Sequence, residues 1–349
     1  MKKKSLTLIY LFILALISIY NLYNVKIMMT SYKTYYIKEL IWFTIGFTII
    51  FLSTKINTDI ILKNSKYLYI LGTITLAFVH IFGININGST SWLKIGIISI
   101  QPSEFMKIPL ILSLRTISLK NYSATKTFII SFILTLIPSI LVFLEPDTGA
   151  VIIYLLIFLT FTTTKKYNKW FYIISLIIII TSGASFLYIY FQKRELFISI
   201  FGTSLFYRMD RITNFINKDG YQRNQALLSL KSSKLFGRGE LIYFPESATD
   251  FAFTFLVSQI GIIPSTLYLI IYSLFIISIK RNKHSDKYIK DALITILIFQ
   301  LMINVLMNLG LFPIIGITLP FLSYGGSNLL SYMILISLVL KKVSEDTYL

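Results

Sequence analysis

Long apolar runs separated by short polar stretches set the rhythm of this chain. A helix needs about 20 apolar residues to cross the hydrocarbon core of a bilayer, and fewer where protein surrounds it. Ten runs meet that description, at residues 5–25, 38–54, 66–83, 103–118, 128–144, 148–164, 170–190, 250–279, 289–309 and 320–340. In lipid each span must satisfy its own backbone hydrogen bonds. The predicted fold is therefore an all-α integral membrane protein with about ten transmembrane helices. No internal repeat or low-complexity linker divides the runs, which predicts a single polytopic membrane domain over residues 1–349.

One connection is much longer than the others, the mostly polar stretch at about 191–249 between the seventh and eighth runs. Within it "NQALLSLKSSKLFG" sets Leu227, Leu228, Leu230 and Leu235 among polar residues, which suits a helix lying along the interface. Gly237 and Gly239 then mark a turn. A loop of this length in a compact protein is usually functional or disordered.

Lysine and arginine orient the spans. With the N-terminus in the cytoplasm, the inner segments hold Lys2 to Lys4, Lys55, Lys63, Lys66, Arg115, Lys120, Lys126, Lys165, Lys166, Lys169, the cluster Lys280 to Lys290, Lys341 and Lys342. The short outer loops keep only Lys26, Lys33, Lys38 and Lys94. This bias predicts cytoplasmic N- and C-termini and puts the long connection on the extracytoplasmic side. The opening "MKKKSLTLIYLFILALISIY" has no small-x-small cleavage site and reads as an uncleaved first span, with a signal peptide as the alternative.

Composition agrees: 55% of the 349 residues are hydrophobic and only 14% are charged. Cysteine is absent, which excludes disulfides, thiolate metal sites and a cysteine nucleophile. With two histidines, a histidine metal cluster is not expected either. The net charge of +18 would suit nucleic acid, but its clustering between apolar runs points to anionic membrane lipid and not to nucleic acid.

Four stretches break the apolar rhythm, all on the outer side of this topology. In "NGSTSWLKIGIISIQPSEFMK", Asn87 to Lys107, Gly88 and Gly96 allow turns and Trp92 suits an interface. Pro102 opens a helix with Glu104 and Lys107 three apart on one face, able to pair or to bind a substrate together. The plainer alternative is a helix start with a dipole-favoured glutamate and a lysine reaching outward. "EPDTG", Glu145 to Gly149, offers Asp147 or Thr148 as a helix cap. In "FPESATDFAF", Thr249 or Asp250 is placed to cap the eighth span, yet capping leaves Glu246 unexplained. A carboxylate beside a span is costly unless compensated, so catalysis stands next to capping here. In "GLFPIIGITLPFLSYGGSNLL", Gly310 to Leu330, prolines and glycines break the regular helix, as a packing kink or as a cavity wall.

Taken together and in order, "SWLKIG…QPSEFMK", "EPDTG", "YQRNQALLSL…LFGRG", "PESATDF" and "NLGLFPIIGI…LPFLSYGGSNLL" resemble the shape, elongation, division and sporulation (SEDS) family, the RodA, FtsW and SpoVE type of membrane glycosyltransferase. The chain departs from that pattern in Ser89 to Ser91 before Trp92, in Ala248 before the "TDF" motif, and in a short link at Glu240 to Tyr243. The resemblance implies a bacterial plasma-membrane enzyme that polymerises lipid II, an undecaprenyl-pyrophosphate-linked disaccharide peptide, into glycan strands. It implies a class B penicillin-binding protein transpeptidase as partner, in elongation, division or sporulation. It assigns catalysis to Asp250 and substrate binding to Glu104, Lys107, Trp92, Gln101, Ser103 and Glu246.

The reaction needs a base for the acceptor hydroxyl and positive charge for the leaving pyrophosphate. Asp250 suits the first role; Lys107, Arg208 and Arg211 are candidates for the second, with Glu104 positioning Lys107 or the sugar. No cofactor is implied with certainty, a divalent magnesium or manganese ion being an option with no assigned ligands. A lipid II flippase and a non-catalytic scaffold that recruits the transpeptidase are the alternative functions.

Overall fold

Helices occupy all ten expected segments, and elements that the apolar pattern does not announce fill the connections. The computed structural model describes residues 2–86, 89–96, 98–163, 169–217, 220–240 and 242–341. Asn87 and Gly88 of the first motif and Lys165, Lys166 and Lys342 of the charge count lie outside them. In chain order the first elements are α1 (Lys2–Val25), α2 (Tyr35–Ser53), the short α3 (Thr58–Lys63) and α4 (Ser65–Phe82). Three strands follow, β1 (Ile84–Ile86), β2 (Ser89–Ile95) and β3 (Ile98–Ile100), then α5 (Pro102–Leu119), α6 (Ala124–Leu144) and α7 (Thr148–Thr162). Next come α8 (Lys169–Gln192), α9 (Arg194–Ile216) and α10 (Tyr221–Lys231). The chain continues through α11 (Ala252–Ile260), α12 (Ile262–Lys280), α13 (Lys287–Asn308) and α14 (Gly326–Val339).

Among the described residues, six helical segments are long and apolar enough to cross a membrane: Lys4–Val25, Thr30–Ser53, Ser65–Phe82, Ala124–Leu144, Ile262–Lys280 and Lys287–Asn308. The apolar α7 and α14 are shorter. The interior is largely apolar, and so is the outside. Large apolar side chains such as Phe51 and Ile81 stand on the outside, 66% and 75% exposed, whereas Asn21, Gln300, Asn304 and Asn308 are buried. Apolar surface on this scale is what lipid covers.

Four details differ from the sequence reading. Ahead of the helix that opens at Pro102 as expected, the first motif adds strands to an otherwise helical chain, a small antiparallel sheet in the order β1-β2-β3 with Leu93 opposite Ile100 and Ile95 opposite Ile98. Its alternation of small polar and apolar residues is too short to read against neighbouring spans. The connection at 191–249 is largely helical, comprising α9 and α10, and α10 is the helix expected from its leucines.

The eighth run, expected as one span over 250–279, is cut in two at Gly261. Gly261 sits at φ 93°, ψ 171°, and a Cβ there would lie 2.7 Å from the carbonyl oxygen of Leu235. That backbone region is essentially confined to glycine. The segment 234–239 lies against the break and supplies the missing partners. Ile262 and Ile263 donate to the carbonyls of Lys234 and Leu235 at 3.0 and 3.1 Å, and Gly237 and Gly239 donate to those of Ile260 and Ser258 at 3.0 and 2.9 Å. Broken helices survive in a membrane protein only where protein satisfies the freed groups, as here.

The tenth run is likewise shortened: α14 begins at Gly326, so residues 320–325 are irregular and Phe321 takes φ 63°. In the packed interior α14 lies against α2 and α5, α13 against α7, and α1 against α12. On the flank away from the later motifs a buried ion pair, Arg115 Nε to Asp286 Oδ2 at 2.5 Å, joins α5 to the start of α13. Asp286 Oδ1 caps that helix by accepting from the main-chain nitrogens of Tyr288 and Ile289.

Candidate active site

Pro102 at the first position of α5, with Glu104 in its first turn, starts that helix at the edge of the sheet and directs its polar residues inward. Glu104 and Lys107 lie one turn apart, and Lys107 Nζ reaches Glu104 Oε2 at 2.5 Å. Glu104 Oε2 also accepts from Asn328 Nδ2 of α14 at 3.0 Å. Lys107 does not reach outward: its side chain is 3% exposed and its ammonium stands 4.2 Å from the centroid of the Tyr332 ring. A cation held this way is desolvated and favoured by the ring face.

Asp147 fulfils its expected role as a cap and adds another. Its Oδ1 accepts from Ala150 N at the start of α7, and its Oδ2 accepts from Gln101 Nε2 at 2.8 Å and Ser103 Oγ at 3.3 Å. The Ser103 carbonyl accepts from the buried Tyr154 hydroxyl at 2.6 Å. Gln101, Ser103 and Asp147 thus tie α5 to α7. Behind them Glu145 is fully buried, and neither carboxylate oxygen has a hydrogen-bond partner among the described residues. Burial, and then the charge of Asp147, pushes its pKa up to about 8.

Asp250 ends a tight turn before α11. Phe244, Ala248, Phe251 and Phe255 bury themselves against Leu22 and Val25 of α1 and Ala226 of α10, which pins the turn. Glu246 takes φ 57°, and its Oε2 accepts from Thr249 Oγ1 at 2.5 Å. The expected capping by Thr249 or Asp250 is not what forms: the N-cap position of α11 is Phe251, and no side chain caps it. Asp250 is half-buried and lines open space instead.

That space is a cavity of about 940 Å³. Trp92, Gln101, Ser103, Glu104, Lys107, Glu246 and Asp250 all line it, so residues far apart in sequence share one wall system. Arg208 and Arg211 sit on α9, and their side chains lie outside the described ones. Lining residues that the motifs did not single out include Tyr35, Lys38 and Trp42 of α2, Gln222 of α10 and Gln300 of α13. Gln300 carried a signal: with Asn304 and Asn308 it forms a row of amides four residues apart inside an apolar run. Among the described residues no three of His, Cys, Asp and Glu gather as a metal-holding group. A magnesium-type ion would in that case need one or two carboxylates together with substrate phosphates, rather than a cage built by protein alone.

Helices fit to cross a bilayer, around a cavity with carboxylates and the buried Lys107 among its lining residues, define a polytopic membrane protein. The cell cycle protein family FtsW/RodA/SpoVE matches residues 2–348, and the chain belongs to that family. Among its relatives is the probable peptidoglycan glycosyltransferase FtsW of Coxiella burnetii, 30% identical, the match covering 89% of this chain and 87% of the relative. Stage V sporulation protein E of Bacillus subtilis is 29% identical, over 81% of this chain and 80% of its own. In fold the chain is similar to one from a peptidoglycan synthase complex, with TM-score 0.79, 20% identity and coverage of 96% and 95%. It is also similar to the rod shape determining protein RodA of Thermus thermophilus, with TM-score 0.68, 20% identity and coverage of 96% and 94%.

Proposed function

We propose that this chain is a peptidoglycan glycosyltransferase that polymerises lipid II into glycan strands at the outer face of the bacterial plasma membrane, working as a single membrane domain with both termini in the cytoplasm. Relatives named as peptidoglycan glycosyltransferases support the activity. The observation that carries the site assignment is the shared cavity, where Asp250 and the Glu104–Lys107 pair line one space.

In this reading the acceptor sugar hydroxyl attacks the anomeric carbon of the donor sugar. Asp250 takes the hydroxyl proton, the new carbon–oxygen bond forms, and the bond to the lipid pyrophosphate breaks from the opposite face, inverting the linkage. Lys107 supplies positive charge to the leaving pyrophosphate. One donor of its ammonium is engaged by Glu104, and an ammonium has three. Glu104, itself held by Asn328, fixes where that charge stands. Trp92, Gln101, Ser103 and Glu246 bind the sugars and peptide, and Arg208 and Arg211 assist the pyrophosphate from α9. A divalent cation, where one takes part, shields the pyrophosphate charge. A class B penicillin-binding protein crosslinks the product.

The purified full chain in detergent, supplied with lipid II, is expected to yield glycan strands resolvable by gel. A lipid II flippase would make none, yet would move labelled lipid II across a vesicle; a scaffold would do neither. Absence of polymer with and without the transpeptidase partner would overturn the proposal.

A further inference from the structure

Asp250 precedes its helix, so its own element does not fix the direction of its side chain. Three consecutive carbonyls around it are instead held from outside. Ala248 O accepts from Tyr324 N at 2.8 Å, and Thr249 O accepts from Ser323 Oγ at 2.6 Å. Asp250 O accepts from both Asn304 Nδ2 and Asn308 Nδ2, each at 3.0 Å.

The two asparagines stand four apart on one face of α13, and both are fully buried. Asn308 Oδ1 accepts from the main-chain nitrogen and the hydroxyl of Thr254, at 2.8 and 2.7 Å. Asn308 Nδ2 also reaches Asn304 O and Oδ1, and Asn304 Nδ2 reaches Ile317 O at 2.9 Å. Gln300, one turn earlier on the same face, accepts from the Tyr332 hydroxyl, and the Tyr332 ring carries Lys107 Nζ. One row of amides therefore touches the supports of both Asp250 and Lys107.

We infer that Asn304 and Asn308 are positioning residues for glycosyl transfer, aiming the Asp250 carboxylate by fixing the peptide plane that carries it. This rests on Asp250 being the base. Fully satisfied buried polar networks rigidify their surroundings and specify one arrangement. Loss of the amide donors frees the plane to rotate, and the carboxylate swings with it. A misplacement of about 1 Å at a reacting group costs about 100-fold in rate. A purely structural network would instead lower stability and leave the turnover of folded molecules unchanged.

The test measures kcat and KM for lipid II, per folded molecule, on the full chain carrying Asn304→Ala, Asn308→Ala, Thr254→Val or Asp250→Asn. Folded fraction is taken from thermal unfolding of each preparation. Thr254→Val removes a hydroxyl partner of Asn308 and leaves both donations to Asp250 in place. The expected result is a fall of about 10- to 100-fold in kcat for each asparagine variant, with KM within about 2-fold and Thr254→Val near wild type. Where the alanine variants do not fold, Asn308→Asp keeps the shape and the acceptor for Thr254, loses donors to Asp250 O, and is expected to lose kcat likewise. Asparagine variants at wild-type kcat beside an inactive Asp250→Asn would overturn the positioning role alone. A fully active Asp250→Asn would overturn the base assignment and this inference with it.

Discussion

Gly261→Ala tests how the broken eighth span is built. At φ 93°, ψ 171° an alanine meets backbone strain, which costs about 1–3 kcal/mol in this region. Its Cβ would also stand 2.7 Å from Leu235 O and 2.8 Å from Phe236 Cα, both backbone atoms, so the 234–239 strap must shift. Forcing a group into such a contact costs about 1–3 kcal/mol more. The sum is about 2–6 kcal/mol. Gly202 separates the two contributions, because it has nearly the same backbone, φ 81° and ψ 162°, with nothing within 4 Å of its Cβ position. Thermal unfolding of the detergent-solubilised protein should show Gly261→Ala clearly less stable than Gly202→Ala. Because α11 begins two residues after Asp250, turnover should also fall in Gly261→Ala and stay intact in Gly202→Ala. Equal stability of the two variants would refute the account of the strap.

Glu145 predicts a pH dependence. Its pKa is raised to about 8, so the folded protein holds a proton that the unfolded chain releases above its ordinary 4.5. Stability therefore falls as pH rises from 4.5 to about 8, by up to ~5 kcal/mol, and is level beyond. Glu145→Gln should remove that slope from unfolding midpoints measured across pH 5–8; an unchanged slope would contradict it. Arg115→Ala leaves Asp286 buried without its guanidinium partner and should cost about 3–5 kcal/mol. Since that pair lies away from the cavity, turnover per folded molecule should hold; a selective loss of turnover would show coupling that the structure does not contain.

Helix placement is legible because a bilayer demands long apolar runs; six of the described helical segments meet that demand in full, while α7 and α14 are shorter. The breaks are not legible, since Gly261 needs its left-handed backbone only in contact with the 234–239 strap, which no local pattern reveals. The site divided in the same way. The motifs around Glu104, Lys107, Glu246 and Asp250 named residues that do share a cavity. Lys107 does not reach outward, because Tyr332 and Glu104 hold its ammonium inside, and neither contact is visible from helix position alone. Capping by Asp250 failed because the turn around Glu246 ends the chain's approach to α11 in a different conformation. Asp147 proved to be a cap and a hub together, through Gln101 and Ser103, partners separated from it by more than forty residues. Gln300, Asn304 and Asn308 were visible as a polar row, but their partners come from segments that only the fold brings near.

The proposed chemistry centres on the Asp250 side chain, and swapping its carboxylate for an amide is the most direct probe of it. The measurement is glycan length formed from lipid II by purified wild type and Asp250→Asn, at matched folded protein. The account predicts polymer from the wild type and, within the detection limit, none from the variant. Full-length polymer from Asp250→Asn would contradict it.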